Sequence, residues 1–262
     1  VSDNLRRLGR AEVTLMHSPE SDRIICKRGA SPVEVAFYRD YSTVLNDAGI
    51  YVPRCLNLDE AAGRLELEYI PGALPELGVY RDEKVIRQLA RLHEFPPLPN
   101  TPTHLHTWSL NDTESALRAL AMDAETERYF YRAQAHSAVL FEHHHLISGD
   151  TNPGNWGVRR NGQRVLFDWE RFSLGCAAID LAPMIPGMGN ADTIGATCRH
   201  YRRYRATVAQ GELELRVVLA KSWIVVEVVN ILQRSAHPDT ERYLTWYRQT
   251  LPGWAKEMWH LM

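Results

Sequence analysis

Cysteine is scarce in this chain. There are four in 262 residues, Cys26, Cys55, Cys176 and Cys198, widely spaced and without a Cys-x-x-Cys pair. That excludes a disulfide-stapled scaffold and a thiolate metal knuckle, and predicts buried thiols in a reducing, cytoplasmic setting. An excess of either charge is also lacking. The net charge is -2, which gives no basic footprint for nucleic acid. Long hydrophobic runs are missing too. The longest, Val217 to Leu232, is interrupted by Lys221, Ser222, Glu227 and Asn230. It is too short and too polar to span a bilayer and reads as a buried helix, so no membrane partner is expected. Behind the charges of Val1-Ser2-Asp3-Asn4-Leu5-Arg6-Arg7 there is no apolar segment, so no signal peptide is visible. Internal repeats and low-complexity tracts are absent. What is present, 45% hydrophobic residues over this length, suffices for a large core in one domain or two closely packed lobes.

The order of patterns divides the chain. Glu12 to Met16 and Asp22 to Lys27 alternate like strands, joined by the polar turn Ser18-Pro19-Glu20-Ser21. Ser31-Pro32-Val33-Glu34 then reads as a helix start, with a Ser cap, Pro in the first turn and Glu three residues on as a capping box. Val33, Phe37, Tyr41, Val44 and Leu45 continue one helix that Gly49 ends. Strands are expected at Ile50 to Leu56 and Arg64 to Ile70, before Pro71-Gly72. Beyond that point helical spacing dominates, at Asp82 to His93, Thr113 to Met122, Glu125 to His143, Ala191 to Ala206, Glu212 to Arg234 and Thr240 to Gln249. Periodicity alone therefore predicts an α+β protein, with a small sheet-rich lobe over 1–70 and a larger helical lobe over 71–262.

The most specific pattern is Ser148-Gly149-Asp150-Thr151-Asn152-Pro153-Gly154-Asn155, followed by Val165-Leu166-Phe167-Asp168-Trp169-Glu170. A carboxylate and a carboxamide lie five residues apart on a Gly/Pro-stiffened loop, and a second carboxylate ends an apolar strand. Between them Asn161-Gly162 is a strong hairpin signal, because both residues tolerate positive φ. A hairpin there folds Asp168 back beside Asn155. The product is two oxygen donors for a hard cation with one further carboxylate nearby, the equipment for phosphoryl transfer from a magnesium nucleotide.

Gly149-Asp150, Asn155, Asp168-Trp169-Glu170 and Asp180-Leu181-Ala182, in that order, resemble the catalytic core of the aminoglycoside phosphotransferase and choline kinase family, distant relatives of the protein kinases. The resemblance implies a protein-kinase-like two-lobe fold, with an antiparallel-sheet N-terminal lobe that binds nucleotide. The helical C-terminal lobe would carry the catalytic loop and the acceptor site. It implies an O-phosphotransferase that uses ATP or GTP with Mg2+ and acts on a small hydroxylated molecule. Asp150 would be the catalytic aspartate, and Asn155 and Asp168 the metal ligands. Lys27 would bind phosphate with Glu34 as its ion-pair partner, although Glu34 also has a complete structural role in the capping box. The nucleobase would meet backbone groups of the strand joining the lobes, Leu67-Glu68-Tyr69-Ile70, of which Glu68, Tyr69 and Ile70 are the candidate contacts. Asp180 supports the catalytic loop in that family, and is equally an N-cap for its own helix.

The chain also departs from the family pattern. Ser148 stands where relatives usually have His, Asn152 replaces another common His, and only Gly9 precedes Lys27, so no Gly-rich loop covers the phosphates. A nucleotide-binding pseudokinase is therefore the alternative function, opposed by retention of Asp150, Asn155 and Asp168 together. His143-His144-His145 does not read as a metal site, because adjacent residues on a helix point about 100° apart, and a solvated helix end is expected. For the acceptor two patterns compete. Trp223, Tyr243, Trp246, Tyr247, Trp254 and Trp259 could hold a quaternary ammonium, with core packing the favoured account of any single ring. Asp112, Glu114, Asp123, Glu125 and Glu127 could attract a polycation. An amine-bearing alcohol satisfies both. Oligomeric state is not written in these residues.

Overall fold

A computed structural model describes residues 11–16, 23–142, 145–235 and 237–262. The turn expected at Ser18–Ser21 and the histidines His143 and His144 lie outside the described residues.

Strand β1 (Glu12–Met16) pairs antiparallel with β2 (Ile24–Arg28), placing Val13 opposite Lys27. Helix α1 (Pro32–Asp40) follows as its cap predicts, with Ser31 Oγ accepting from the Glu34 N–H at 3.1 Å. The reciprocal half of the capping box does not form. The Glu34 side chain is buried and turned toward Lys27 instead. The single helix expected up to Gly49 is also broken: Tyr41 closes α1, and α2 (Ser42–Asp47) starts anew. Tyr41 is buried, stacks on Phe37, and accepts the Leu98 N–H at its hydroxyl, 2.6 Å away. Its burial keeps the helical periodicity intact across the break, which is why spacing could not reveal it.

A second correction concerns Ile50 to Leu56. Only Cys55–Asp59 forms a strand, β3. Ile50 and Val52 are buried, but the backbone beside them serves other partners. Tyr51 O accepts from Leu166 N and from Gln88 Nε2, and Val52 O accepts from Asn46 Nδ2 and Arg159 Nη2. With its carbonyls committed, the segment cannot join the sheet ladder. Strand β4 (Arg64–Glu68) pairs with β2 and β3, giving the order β1-β2-β4-β3.

Next come the short strand β5 (Gly72–Ala73) and α3 (Glu83–Glu94), capped by Asp82 and burying Val85, Ile86, Leu89 and Leu92. Helices α4 (Leu110–Leu120) and α5 (Ala124–Ala135) follow. Helix α5 stops well short of His143, and His145 opens strand β6 (His145–Ile147) rather than ending a helix. The expected hairpin is present as β7 (Trp156–Val158) and β8 (Arg164–Leu166), with β5 on its edge. Its connection is longer than a two-residue turn. Gly162 N donates to Arg159 O at 2.8 Å, Arg159 N donates to Gln163 O at 3.0 Å, and Gly162 takes the positive φ, 81°. Strand β9 (Ser173–Gly175) pairs with β6. The chain ends in α6 (Ala178–Met184), α7 (Ala191–Arg202), α8 (Gln210–Ser235) and α9 (Thr240–Met258). None of the described helices is long and apolar enough to cross a membrane.

Packing groups these elements into two compact units. One holds Val1–Leu105 with His145–Leu174, the other His106–His144 with Gly175–Met262. Sheet, hairpin and the Asp150 loop thus belong to one unit, and α4 to α9 to the other. By contrast, the sequence patterns drew their line at residue 70.

Candidate active site

The first unit collects Lys27, Glu34, Glu68, Tyr69, Ile70, Asp150, Asn155 and Asp168. Lys27, in β2, lies 2.8 Å from both carboxylate oxygens of Glu34 and 2.8 Å from Asp168 Oδ1. One turn beyond Glu34 on α1, Phe37 stacks on Trp169 with ring centroids 4.0 Å apart. That stack explains where Asp168 points. Trp169 is fully buried and donates from Nε1 to Leu166 O at 2.9 Å, so the chain is pinned just after Asp168. Asp168 itself is left-handed, φ 66°, a conformation uncommon for a side-chain-bearing residue and held here by its surroundings. The partner expected for an Asp at the end of a buried strand is therefore Lys27.

Burial alone would lower the Lys27 proton affinity, but Glu34 and Asp168 more than offset it and hold the ammonium above its ordinary range. Burial pushes the Glu34 carboxyl up to about 7, against the pull of Lys27. The cluster is thus one cation between two carboxylates.

Asp150 sits after Gly149, whose φ of 76° turns the loop. Ser148 Oγ accepts from Asp150 N at 3.5 Å, and three further bonds brace the loop. Arg171 Nε donates to Gly149 O at 3.1 Å, Trp156 Nε1 to Thr151 O at 3.2 Å, and Asn155 Nδ2 to Asp150 O at 3.0 Å. Asn152 donates its side-chain amide to Asp150 Oδ1. Burial raises the Asp150 carboxyl to about 6, with Arg171 and the Asn152 bonds pulling it down and Asp168 pushing it up. A carboxylate in that range is ionised at neutral pH and basic enough to accept a proton.

Asn155 connects the loop to the second carboxylate. Its Nδ2 is taken by Asp150 O, which leaves Oδ1 as its side-chain acceptor, and its own carbonyl accepts from Phe167 N at 3.0 Å, next to Asp168. Asn155 and Asp168 offer hard oxygens suited to a magnesium ion that takes its other ligands from phosphate and water. No group of three or more His, Cys, Asp or Glu that could hold a metal converges among the described residues.

The linker residues are placed by the hairpin. Glu68 is gripped by Arg159, Nε to Oε1 at 2.9 Å and Nη2 to Oε2 at 2.7 Å. A side chain at Gly157 would meet Ile70 Cγ2 at 2.6 Å, so glycine is what lets Ile70 lie on β7. Tyr69 carries the Arg23 guanidinium over its ring at 5.5 Å.

Arg171, Arg159 and Asn152 were not anticipated from the sequence. Arg171 lies three residues after Asp168, a spacing that alone carries no signal. Asp180 is not an N-cap, since α6 is capped at Ala177 and Asp180 stands in its first turn. In the second unit Trp223, Tyr247 and Trp254 are core residues, as packing predicted, while Trp246 and Trp259 are partly exposed. Asp123 is the N-cap of α5 and Asp112 closes the capping box of α4 by accepting from Ser109 N, which gives two members of the acidic patch a structural role.

The profile of the phosphotransferase enzyme family matches residues 18–218. No curated protein sequence is a significant match. Among solved structures, a choline/ethanolamine kinase family protein from Mesorhizobium loti is 16% identical with TM-score 0.66, covering 100% of this chain and 92% of that one. A type I macrolide 2'-phosphotransferase is 13% identical with TM-score 0.65, covering 96% and 90%. The GDP complex of aminoglycoside 2'-phosphotransferase-IIIa is 15% identical with TM-score 0.62, covering 95% and 92%. At these identities the likeness establishes the fold: kinase-like, α+β, with a small antiparallel sheet before a mainly helical part.

Proposed function

Because the chain belongs to the phosphotransferase enzyme family, the small-molecule kinases, we propose that it transfers the γ-phosphoryl group of ATP or GTP to a hydroxyl of a small, amine-bearing acceptor. The observation that carries this reading is the convergence of Lys27, Glu34 and Asp168 at 2.8 Å beside a loop that presents Asp150 and Asn155. The names of the similar structures, acting on choline or ethanolamine, macrolides and aminoglycosides, support an amine-bearing alcohol.

In this reading Asp150 orients the acceptor hydroxyl and takes its proton as the oxygen–phosphorus bond forms and the nucleoside diphosphate leaves. Asn152 and Arg171 keep that carboxylate aimed and ionised. Lys27 neutralises phosphate charge, and Glu34 holds Lys27 extended. The backbone of Glu68, Tyr69 and Ile70 meets the nucleobase, with Arg159 fixing the strand from its side. Asn155 and Asp168 hold Mg2+, which when bound supplies charge neutralisation and alignment of the phosphates. The four free cysteines accord with a reducing, cytoplasmic setting.

Thermal unfolding with ATP or GTP, with and without magnesium, should show a higher midpoint with the preferred nucleotide. Release of nucleoside diphosphate across aminoglycosides, macrolides, choline and ethanolamine then identifies the acceptor. Asp150→Ala is expected to lower kcat about 10²- to 10⁴-fold with nucleotide binding retained. Near-wild-type turnover by that variant would refute the assignment of the base. Tight nucleotide binding without turnover of any acceptor would leave a binding protein instead.

A further inference from the structure

Beside the linker, the first unit carries a groove that shares Glu68, Tyr69 and Arg159 with the phosphotransfer reading but holds none of its catalytic or metal-binding side chains. It encloses about 750 Å³ and is lined by Arg23, Glu68, Tyr69, Pro71, Arg159, Arg160 and Asn161. Lys27, Asn155 and Asp168 are not among these residues. The volume falls in the range of small-molecule sites. Three of its seven lining residues are arginines, which favours an anionic occupant.

The charges in the groove do not cancel. Glu68 is spoken for twice, by the two-point grip of Arg159 and by Arg54 Nε at 3.3 Å. Arg159 is further fixed by Gln163 Oε1 at 3.0 Å and Val52 O at 2.9 Å. It therefore works as a rigid wall rather than a mobile ligand-seeking arm. Arg160 and Arg23 differ. Among the described residues neither makes an ion pair, and Arg23 rests on the Tyr69 ring at 5.5 Å. Two guanidiniums without an ion-pair partner among the described residues thus line the groove with the fixed Arg159–Glu68 pair, beside Asn161 and Tyr69.

A guanidinium fork matches the oxygens of phosphate, and ion-assisted bonds of this kind are the strong ones. A phosphoryl group brings nearly two negative charges to one tetrahedral centre, so a single group can answer both arginines. We propose that this groove is a binding site for a small phosphorylated molecule, held by Arg23 and Arg160 against the Arg159–Glu68 wall. Because Glu68 and Tyr69 also belong to the strand assigned to the nucleobase, the groove adjoins that site, and the Lys27→Ala arm below separates the two.

Isothermal titration with inorganic pyrophosphate near physiological salt tests it, using the wild-type protein, the Arg23→Ala/Arg160→Ala double variant and Lys27→Ala. Both arginines are exposed, so the double variant should unfold at the wild-type midpoint. Pyrophosphate is expected to bind the wild type and Lys27→Ala alike. The double variant should lose at least about tenfold in affinity. If a second pyrophosphate occupies the catalytic cluster, the wild type shows two sites and the double variant one. Binding that survives the double change and vanishes with Lys27→Ala would place the anion in the catalytic cluster and overturn the proposal. So would the absence of binding at about 10 mM, a range where even weak complexes form. Succinate should bind more weakly than pyrophosphate, and equal affinity would remove phosphate as the recognised group.

Discussion

Two buried lysines, one in each compact unit, show how differently the halves of this protein treat charge. Lys27 in β2 is 8% exposed and Lys221 in α8 is 5% exposed, so desolvation weighs on both. Lys27 has two carboxylates at 2.8 Å and is held above the ordinary lysine range. Lys221 has only neutral carbonyls, those of Ile185 and Gly187, each accepting at 2.6 Å, and burial pushes it down to about 7. Burial does not by itself decide whether a lysine keeps its proton; the partners do. The first unit uses a permanently charged ammonium to orient two acids. The second uses an amine to tie the chain after α6 to α8.

The comparison breaks most severely at Lys27. Lys27→Met leaves Glu34 and Asp168 without their cation and removes the donor proposed for the phosphates. Steady-state kinetics should show kcat/KM lower by about 10²- to 10³-fold. A smaller loss would mean that the cluster serves stability more than chemistry.

Arg171 is the next test, because it extends the same use of fixed cations to the Asp150 loop. Arg171→Ala frees Gly149 O and removes the charge that pulls the Asp150 carboxyl down. The expected fall in kcat is about tenfold to a hundredfold, as for a misplaced catalytic group. The acid limb of kcat/KM, expected near pH 6 in the wild type, should also move to higher pH in the variant. An unmoved limb would restrict Arg171 to holding the loop.

Lys221 gives the smallest effect, and it appears in stability rather than in rate. With its folded-state value near 7 and its ordinary value at 10.5, the unfolded chain holds one more proton between those limits. Stability must then rise with pH across that window. From pH 7 to 9 denaturant unfolding should show a gain of about 2 kcal/mol from this residue, absent in Lys221→Met. A flat profile in both proteins would mean that the two carbonyls keep Lys221 charged.

Much of the site was legible because its pieces are local. Asp150 and Asn155 share one loop, and Asp168 returns by a hairpin that Asn161-Gly162 announces. The roles given to these residues remain for the experiments above to decide; what the structure adds is their placement. The same local logic found the caps Ser31 and Asp82. It left one side chain between two partners, both anticipated. Glu34 was equally fit to close a capping box, and took Lys27 because a buried cation is the stronger attraction. The local logic failed at Tyr51 and Val52, where apolar alternation resembles a strand but the two carbonyls are claimed by Gln88, Asn46, Arg159 and β8.

The sequence by itself determined which chemical groups exist, how they are spaced along the chain, and where helices start and the hairpin turns. All of these depend on partners within a few residues. Tertiary structure alone decided that Lys27 meets Asp168 across 141 positions, that Arg159 locks Glu68 across 91, and that Lys221 is left among carbonyls. Such pairings follow from how Trp169 and Phe37 stack and how the β7–β8 hairpin packs against the linker. A charge buried in a packed interior takes whichever partner the packing brings within reach.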